Sequence, residues 1–103
     1  MIHAKKVLPF FFSALRNDVK CFELRKEDPG EPSFLVGDYL ALNEYDDRTK
    51  TYTGRADMYE IIYRLDSTDS CGTLSPGSVA LGLARVLHSG MSFEGPKRDA
   101  HDI

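Results

Sequence analysis

The sequence predicts a mainly β domain of the α+β class, a small and partly closed β-barrel with one helix after its first strand. Two observations favour this fold class. About five runs of alternating apolar and polar residues are separated by turn residues, and one stretch near the start has helical spacing. We therefore expect a single domain over residues 1–87 and a flexible C-terminal tail over residues 88–103.

The composition is that of an ordinary soluble, globular domain. The chain has 103 residues, of which 42% are apolar and 28% charged. A formal net charge of −3 argues against a generally basic nucleic-acid coat, so any such binding must use a local patch. Two cysteines, Cys21 and Cys71, are too few for a disulfide framework, which favours a reducing, cytoplasmic location.

Neither a signal peptide nor a membrane span is predicted. An apolar run near the start is interrupted by Pro9 and lacks a small-residue cleavage site, and no stretch approaches the roughly 20 apolar residues of a membrane helix. The three histidines are isolated, and neither cysteine has a histidine at ligand spacing. We expect no metal, no cofactor and no membrane partner, and the oligomeric state stays open.

The first strand is predicted over residues 2–8 and the helix over residues 9–17. Pro9 suits the first turn of a helix, where its missing N–H costs nothing. The helical residues that recur at core-facing spacing, and are expected to be buried, are Phe11, Phe12 and Leu15.

Residues 20–26 alternate and are predicted to form the second strand. Phe22 and Leu24 are expected on the core side of this strand, with Glu23 and Arg25 on the other. Because Glu23 and Arg25 share a face two positions apart, they can form an ion pair. That pair is either a solvated surface feature or a polar ledge that faces a ligand.

The third strand is predicted over residues 39–45, after a tight Gly37-Asp38 turn, with Leu40 and Leu42 directed inward. A charged hairpin tip over residues 46–50 follows it.

The chain returns through residues 51–55 and a strand over residues 58–65. Gly54 within this pattern indicates a bulge or a close backbone approach, which would re-aim Arg55. The residues expected to share one face of the strand are Tyr59, Ile61, Tyr63 and Leu65.

The last strand is predicted over residues 78–87. Its small residues, Ala80, Gly82 and Ala84, alternate with Val79, Leu81 and Leu83. A face of small residues fits tight curvature or close cover by another element of the fold.

Several short motifs follow one another in a defined order: Pro9-Phe10-Phe11, Lys20-x-x-Glu23-x-Arg25, Val36-Gly37-Asp38, Glu44-Tyr45-Asp46, Tyr52-Thr53-Gly54-Arg55 and Val79-Ala80-Leu81-Gly82. Over residues 2–86 this order resembles the ASCH domains of the PUA-like superfamily. The closest resemblance is to a small ASCH-related family of unknown function common in bacteria and their phages. The resemblance implies a five- or six-stranded barrel with a cleft beside the helix, and RNA binding.

The first functional hypothesis is a module that binds RNA or a nucleotide-like ligand in a cleft lined by Lys20, Glu23, Arg25 and Arg55. Cationic side chains contact phosphates, a carboxylate accepts from a base amine or orients a guanidinium, and a tyrosine stacks on a base. The full set of candidate binding residues is Lys20, Glu23, Arg25, Lys26, Arg48, Lys50, Tyr52 and Arg55. For each of them, a surface charge or a core tyrosine is the alternative.

Two other functions remain open. Some relatives of the PUA-like fold are amidohydrolases that deacetylate a modified cytidine with Lys, Thr and Glu. In this chain the candidate catalytic set is Lys20 with Cys21 or Thr53. The relatives' nucleophilic Thr aligns with Glu23, and the loop over residues 66–77 is short for the helix that carries their Glu. The third hypothesis is a protein-interaction module that uses exposed barrel strands.

Overall fold

The computed structural model describes residues 1–86, and the predicted tail over residues 88–103 lies outside them. The elements are β1 (Ile2–Val7), α1 (Pro9–Arg16), β2 (Phe22–Lys26), β3 (Tyr39–Asp46), β4 (Thr51–Asp66) and β5 (Ser78–Arg85). The predicted fold class is confirmed: the described chain is mainly β, with one helix after the first strand and a five-stranded sheet curled into a half-barrel. No helix in this part of the chain is long and apolar enough to cross a membrane.

The sheet has the strand order β1-β3-β4-β5-β2, so β1 and β2 are its two edges. The β1–β3 pair is parallel, and the other neighbours are antiparallel. Because the sheet is curled, the two edges approach each other, and Nη2 of Arg25 on β2 donates to the backbone carbonyl of Lys6 on β1 at 3.3 Å. We call the gap between β1 and β2 the seam.

The helix buries one narrow stripe of side chains. Pro9 occupies its first turn, as predicted, and Phe12 and Leu15 are 1% and 2% exposed. The prediction that Phe11 is buried is wrong, since Phe11 is 42% exposed. Successive residues of a helix point about 100° apart, so a helix of eight residues that buries Phe12 directs Phe11 away from the core, toward the seam.

The core lies inside the curl of the sheet. Leu40 and Leu42 are fully buried, as predicted. The larger residues of β5 also face inward, and its small residues lie on a partly exposed face. A Cβ added to Gly82 would lie 3.0 Å from Cβ of Tyr63, so only glycine fits there without a shift of its neighbour. The residues of the core cluster are Val7, Phe12, Leu15, Phe34, Leu40, Leu42, Tyr59, Ile61, Val79, Leu81 and Leu83.

Two irregularities divide the long strand β4. The register with β3 shifts opposite Gly54, whose φ is +94°, and this confirms the predicted bulge. The register with β5 shifts between Ile61 and Tyr63. The extra residue inverts the alternation beyond it, so Tyr63 is 61% exposed, and the prediction that it shares the face of Tyr59 and Ile61 is wrong.

The predicted faces of β2 are inverted. Glu23 is 3% exposed, whereas Phe22 and Leu24 are 45% and 57% exposed. Strand alternation fixes which residues share a face but not which face is covered, because that depends on the neighbours of the strand in the sheet. Within residues 1–86, β2 pairs with β5 alone, and its two apolar side chains border the seam.

Asp38 ties the start of β1 to the turn before β3. Its carboxylate lies 2.8 Å from Nε2 of His3 and 3.1 Å from the amino group of Met1. The backbone N–H of Leu35 also donates to it. The predicted Gly-Asp turn is confirmed, with φ of Gly37 at +96°. The His3 and amino-terminal contacts lower the pKa of Asp38 to about 2.

This contact predicts an acid-dependent part of the stability. An unfolded aspartate titrates near 3.9, so the lowered pKa of Asp38 contributes stability above about pH 4, which is lost as the pH falls toward 2. We expect Asp38→Asn to lower the thermal midpoint at pH 7, and its difference from the wild type to shrink below pH 4. Thermal melts between pH 7 and 2 test this, with Asp28→Asn at an exposed acid as the control. A pH-independent difference would contradict the prediction.

Candidate functional site

A cavity of about 450 Å³ opens at the seam. The end of β1 and the following Leu8 contribute residues 6–8 to its lining, α1 contributes Phe11, and Lys20 and residues 22–25 form the opposite wall. Its volume is within the range of about 300–1,000 Å³ that is typical of small-molecule sites. We call it the seam cavity. It exists because the half-barrel leaves its two edge strands unpaired with each other.

Three of its charged residues share one buried carboxylate. The Nζ of Lys20 donates to Oε1 of Glu23 at 2.6 Å, and Nη1 of Arg25 lies 3.5 Å from Oε2 of Glu23. The side chains of Lys20, Glu23 and Arg25 are 16%, 4% and 22% exposed. The ion pair between Glu23 and Arg25 is therefore present, but in a buried setting. Two cations share one anion, which leaves the Lys20–Glu23–Arg25 triad with a net positive charge.

Two aromatic rings flank this triad. The Nζ of Lys20 lies 4.7 Å from the ring centre of Phe11 and 5.4 Å from that of Phe22, distances at which an ammonium group interacts with a ring. Both rings are more than 40% exposed. They are thus accessible to a planar ligand while they contact a fixed cation.

The remaining predicted cations lie outside the seam cavity. Lys26 follows Arg25 on β2 and lines an adjoining cavity of about 280 Å³. Arg48 and Lys50 lie at the tip between β3 and β4, as predicted, where they pair with the acids Asp46 and Asp47 at 3.4 and 3.3 Å. These exposed pairs reduce the positive charge that the hairpin tip offers a ligand.

Tyr52 packs edge-to-face against Tyr45, with ring centres 5.1 Å apart. The Nζ of Lys6 lies 4.3 Å from the ring centre of Tyr45. Tyr45 and Lys6 both line a second adjoining cavity, of about 230 Å³. Tyr52 therefore supports an aromatic side chain at the far end of the seam.

Arg55 is not among the residues that line the seam cavity. The Gly54 bulge directs it to Glu44, whose two carboxylate oxygens accept from Nε and Nη2 of Arg55 at 2.9 Å each. The Thr53 hydroxyl donates to the same carboxylate at 2.6 Å. These contacts, chiefly that of Arg55, lower the pKa of Glu44. The structure thus places Arg55 and the triad in two separate clusters.

The candidate catalytic residues are divided between these clusters. The Lys20 amine is held by Glu23 and the Thr53 hydroxyl by Glu44, while Cys21 is exposed. A threonine nucleophile needs a base that accepts its proton. The lowered pKa of Glu44 makes its carboxylate a weaker base for that purpose. The structure therefore does not bring the candidate residues Lys20 and Thr53 together in one cluster.

Sequence reasoning missed several residues of the seam cavity. The spacing of Phe11 and Phe22 predicts core positions for both, and no sequence pattern distinguishes Lys6. A further cluster was also missed: the guanidinium of Arg64 donates to both carboxylate oxygens of Glu27 at 2.7 and 2.8 Å. No local signal connects residues 37 positions apart. Within residues 1–86, no group of three or more His, Cys, Asp or Glu side chains is arranged to hold a metal ion.

Comparison with known families gives a match over most of the chain. The profile of a family described as a domain of unknown function (DUF3850) matches residues 2–83. This range runs from the start of β1 into β5 and includes every residue that lines the seam cavity. No curated protein matches the chain at a significant level.

Proposed function

This chain belongs to the DUF3850 family, and we propose that its seam cavity binds a nucleotide unit, either of RNA or of a nucleotide-like ligand. The observation that carries the proposal is the arrangement around Lys20. Two exposed aromatic rings and two cations that share one buried carboxylate border a single cavity of about 450 Å³. The resemblance to ASCH domains, which implies RNA binding, supports the same ligand class.

The charge of the cavity favours an anion. The triad carries one negative and two positive charges, and Lys6 adds another cation to the lining. A phosphate can accept hydrogen bonds from both the guanidinium and the ammonium groups. Because Glu23 and the carbonyl of Lys6 hold Arg25 from two sides, its guanidinium is fixed before a ligand arrives, which reduces the entropy cost of binding.

The aromatic rings favour a planar group next to that anion. Phe11 and Phe22 expose part of their rings at the cavity, and stacking of a base on such a ring contributes about 1–3 kcal/mol. The apolar side chains of Val7 and Leu24 complete the lining around the rings. In this proposal the phosphate contacts Lys20 and Arg25, and the base stacks on one of the two rings.

We expect a fluorescein-labelled RNA hexamer of mixed sequence to bind with a salt-dependent affinity. The logarithm of the association constant should fall with the logarithm of the salt concentration, by about 0.7 per phosphate contacted. Arg25→Ala should weaken binding about tenfold or more, since a hydrogen bond to a charged group contributes about 1.5–3 kcal/mol. Anisotropy titrations between roughly 50 and 200 mM salt measure both effects.

Lys5→Ala provides a matched control. Lys5 is adjacent to Lys6 on β1, but its side chain points to the opposite face, where it pairs with Glu31 at 2.7 Å. This variant changes the net charge as Arg25→Ala does and leaves the seam cavity intact. Salt-independent binding, or equal losses for the two variants, would refute the proposed site.

A further inference from the structure

The seam cavity shares lining residues with each of the two adjoining cavities, on its β2 wall with one and on its β1 wall with the other, and we call these two the end cavities. The cavity of about 280 Å³ shares Leu24 and Arg25 with it, and the cavity of about 230 Å³ shares residues 6–8. Each of these end cavities is smaller than the roughly 300 Å³ at which small-molecule sites begin. They are therefore better explained as extensions of the seam cavity than as separate sites. We call the three cavities together the seam groove.

Positive charge is distributed along the whole seam groove. Lys26 lines one end cavity and Lys20 the seam cavity, while Arg25 and Lys6 are each shared between the seam cavity and an end cavity. The acids in the lining are Glu23 and Asp47. Among the described lining residues, four cations against two acids give the groove a balance of +2, in a chain whose formal net charge is −3. The positive charge is thus concentrated where the edges of the sheet meet.

Rings and hydroxyls also occur at successive points of the groove. Phe11 and Phe22 border the centre, and Tyr45, supported by Tyr52, borders one end. At the other end, the lining residues within 1–86 include no aromatic ring but carry the hydroxyls of Thr73, Ser75 and Ser78. Cations that follow a track, with aromatic rings beside them, are typical of surfaces that bind single-stranded nucleic acid.

We infer that the seam groove binds a single-stranded RNA segment of at least three consecutive nucleotides, one in each cavity. This inference rests on the proposed function and adds to it that the ligand is a strand rather than a free nucleotide. A free nucleotide carries its phosphates at one end, so it could engage the triad but would leave Lys26 and Tyr45 unused. A strand presents a phosphate at each step and a base beside it, which matches the distribution of cations and rings.

The test is a length series of ribonucleotides, from the monophosphate to the hexamer, measured by calorimetry. We expect the affinity to rise at least tenfold from one nucleotide to three and then to level off. Lys26→Gln should weaken binding of the trimer severalfold and reduce its salt slope by about 0.7. Binding of the monophosphate should not change in this variant, because Lys26 does not line the seam cavity. Lys5→Gln is the control and should change neither affinity.

The outcomes separate this inference from the proposed function. Equal affinities for the monophosphate and the trimer would overturn the inference and leave the seam cavity as a nucleotide site. A Lys26→Gln variant that loses affinity for both ligands in equal measure, or for neither, would also overturn it. If no ribonucleotide of any length binds, both the inference and the proposed function fail. Thermal melts of each variant confirm that the protein under titration is folded.

Discussion

Arg55→Ala is expected to lower the free energy of unfolding by about 3 kcal/mol, the lower end of the range for breaking a buried ion pair. Stability is lost because the buried carboxylate of Glu44 remains after its cationic partner is removed. The Glu44 side chain is 4% exposed, and without Arg55 the Thr53 hydroxyl is the one remaining hydrogen-bond donor to its carboxylate within residues 1–86. The lower end of the range applies because the Arg55 side chain is 48% exposed, so water can partly replace it.

Glu44→Gln, which removes the acid instead of the base, should lower the free energy of unfolding less than Arg55→Ala does. In Glu44→Gln the freed guanidinium of Arg55 is half-exposed and can be hydrated. We therefore expect the double variant Arg55→Ala/Glu44→Gln to be more stable than Arg55→Ala alone, because the unpaired charge is gone. Urea denaturation of the wild type, the two single variants and the double variant completes a double-mutant cycle. The prediction fails if Arg55→Ala costs no more than Glu44→Gln.

The same pair predicts a pH dependence. Arg55 lowers the pKa of Glu44 in the folded protein, while an unfolded glutamate titrates near 4.3. The pair therefore contributes its full stability above about pH 4.3, and this contribution is lost as the pH falls through the lowered pKa of Glu44. The difference in stability between the wild type and Arg55→Ala should narrow in the same interval.

Glu23→Gln is expected to weaken RNA binding about tenfold or more and to lower stability by about 1–3 kcal/mol. Glu23 is the shared partner of Lys20 and Arg25. Without its charge, the two cations repel each other across the seam cavity, and the Arg25 guanidinium is no longer fixed. An exposed ion pair would be worth about 0–1 kcal/mol, but Glu23 is 3% exposed. We therefore expect both folding and binding to be affected.

Glu44→Gln separates the two effects. It makes the same chemical change at an equally buried glutamate, 3% exposed, that lies outside the lining of the seam cavity. We expect it to lose stability and keep its affinity for RNA. Affinities should be measured well below the melting temperature of each variant, so that both proteins are folded when their binding is compared. If folded Glu23→Gln binds RNA as the wild type does, Glu23 is a structural residue and its assignment to the site is wrong.

Local features of the sequence predicted the elements well. Pro9 marked the start of the helix, and the Gly54 bulge and the Gly-Asp turn were found from residues whose backbone preferences are local. The alternation in β3 identified its inward pair, Leu40 and Leu42. The errors occurred where neighbours in space decide. Tyr63 is exposed because of a register shift against β5, and Phe11 because α1 buries only one stripe.

Local sequence patterns also predicted one part of the candidate site, the Glu23–Arg25 ion pair. The spacing of Glu23 and Arg25 placed both on one strand at ion-pair distance, and their contact is present at 3.5 Å. The sequence could not show that Lys20 shares the same carboxylate. It also could not show that the re-aimed Arg55 pairs with Glu44 rather than with the triad.

By itself, then, the sequence determined the mainly β fold class, the position of the helix and the order of the strands along the chain, because these follow from hydrophobic periodicity and from local backbone preferences. Only the tertiary structure decided which strands meet. β2 pairs with β5, so that Phe22 lies opposite Gly82, and the curl brings β2 to β1 at the seam. Those contacts join residues far apart in the sequence, and no local preference encodes them. The buried face of β2 and the residues that line the seam cavity are therefore set by packing and not by periodicity.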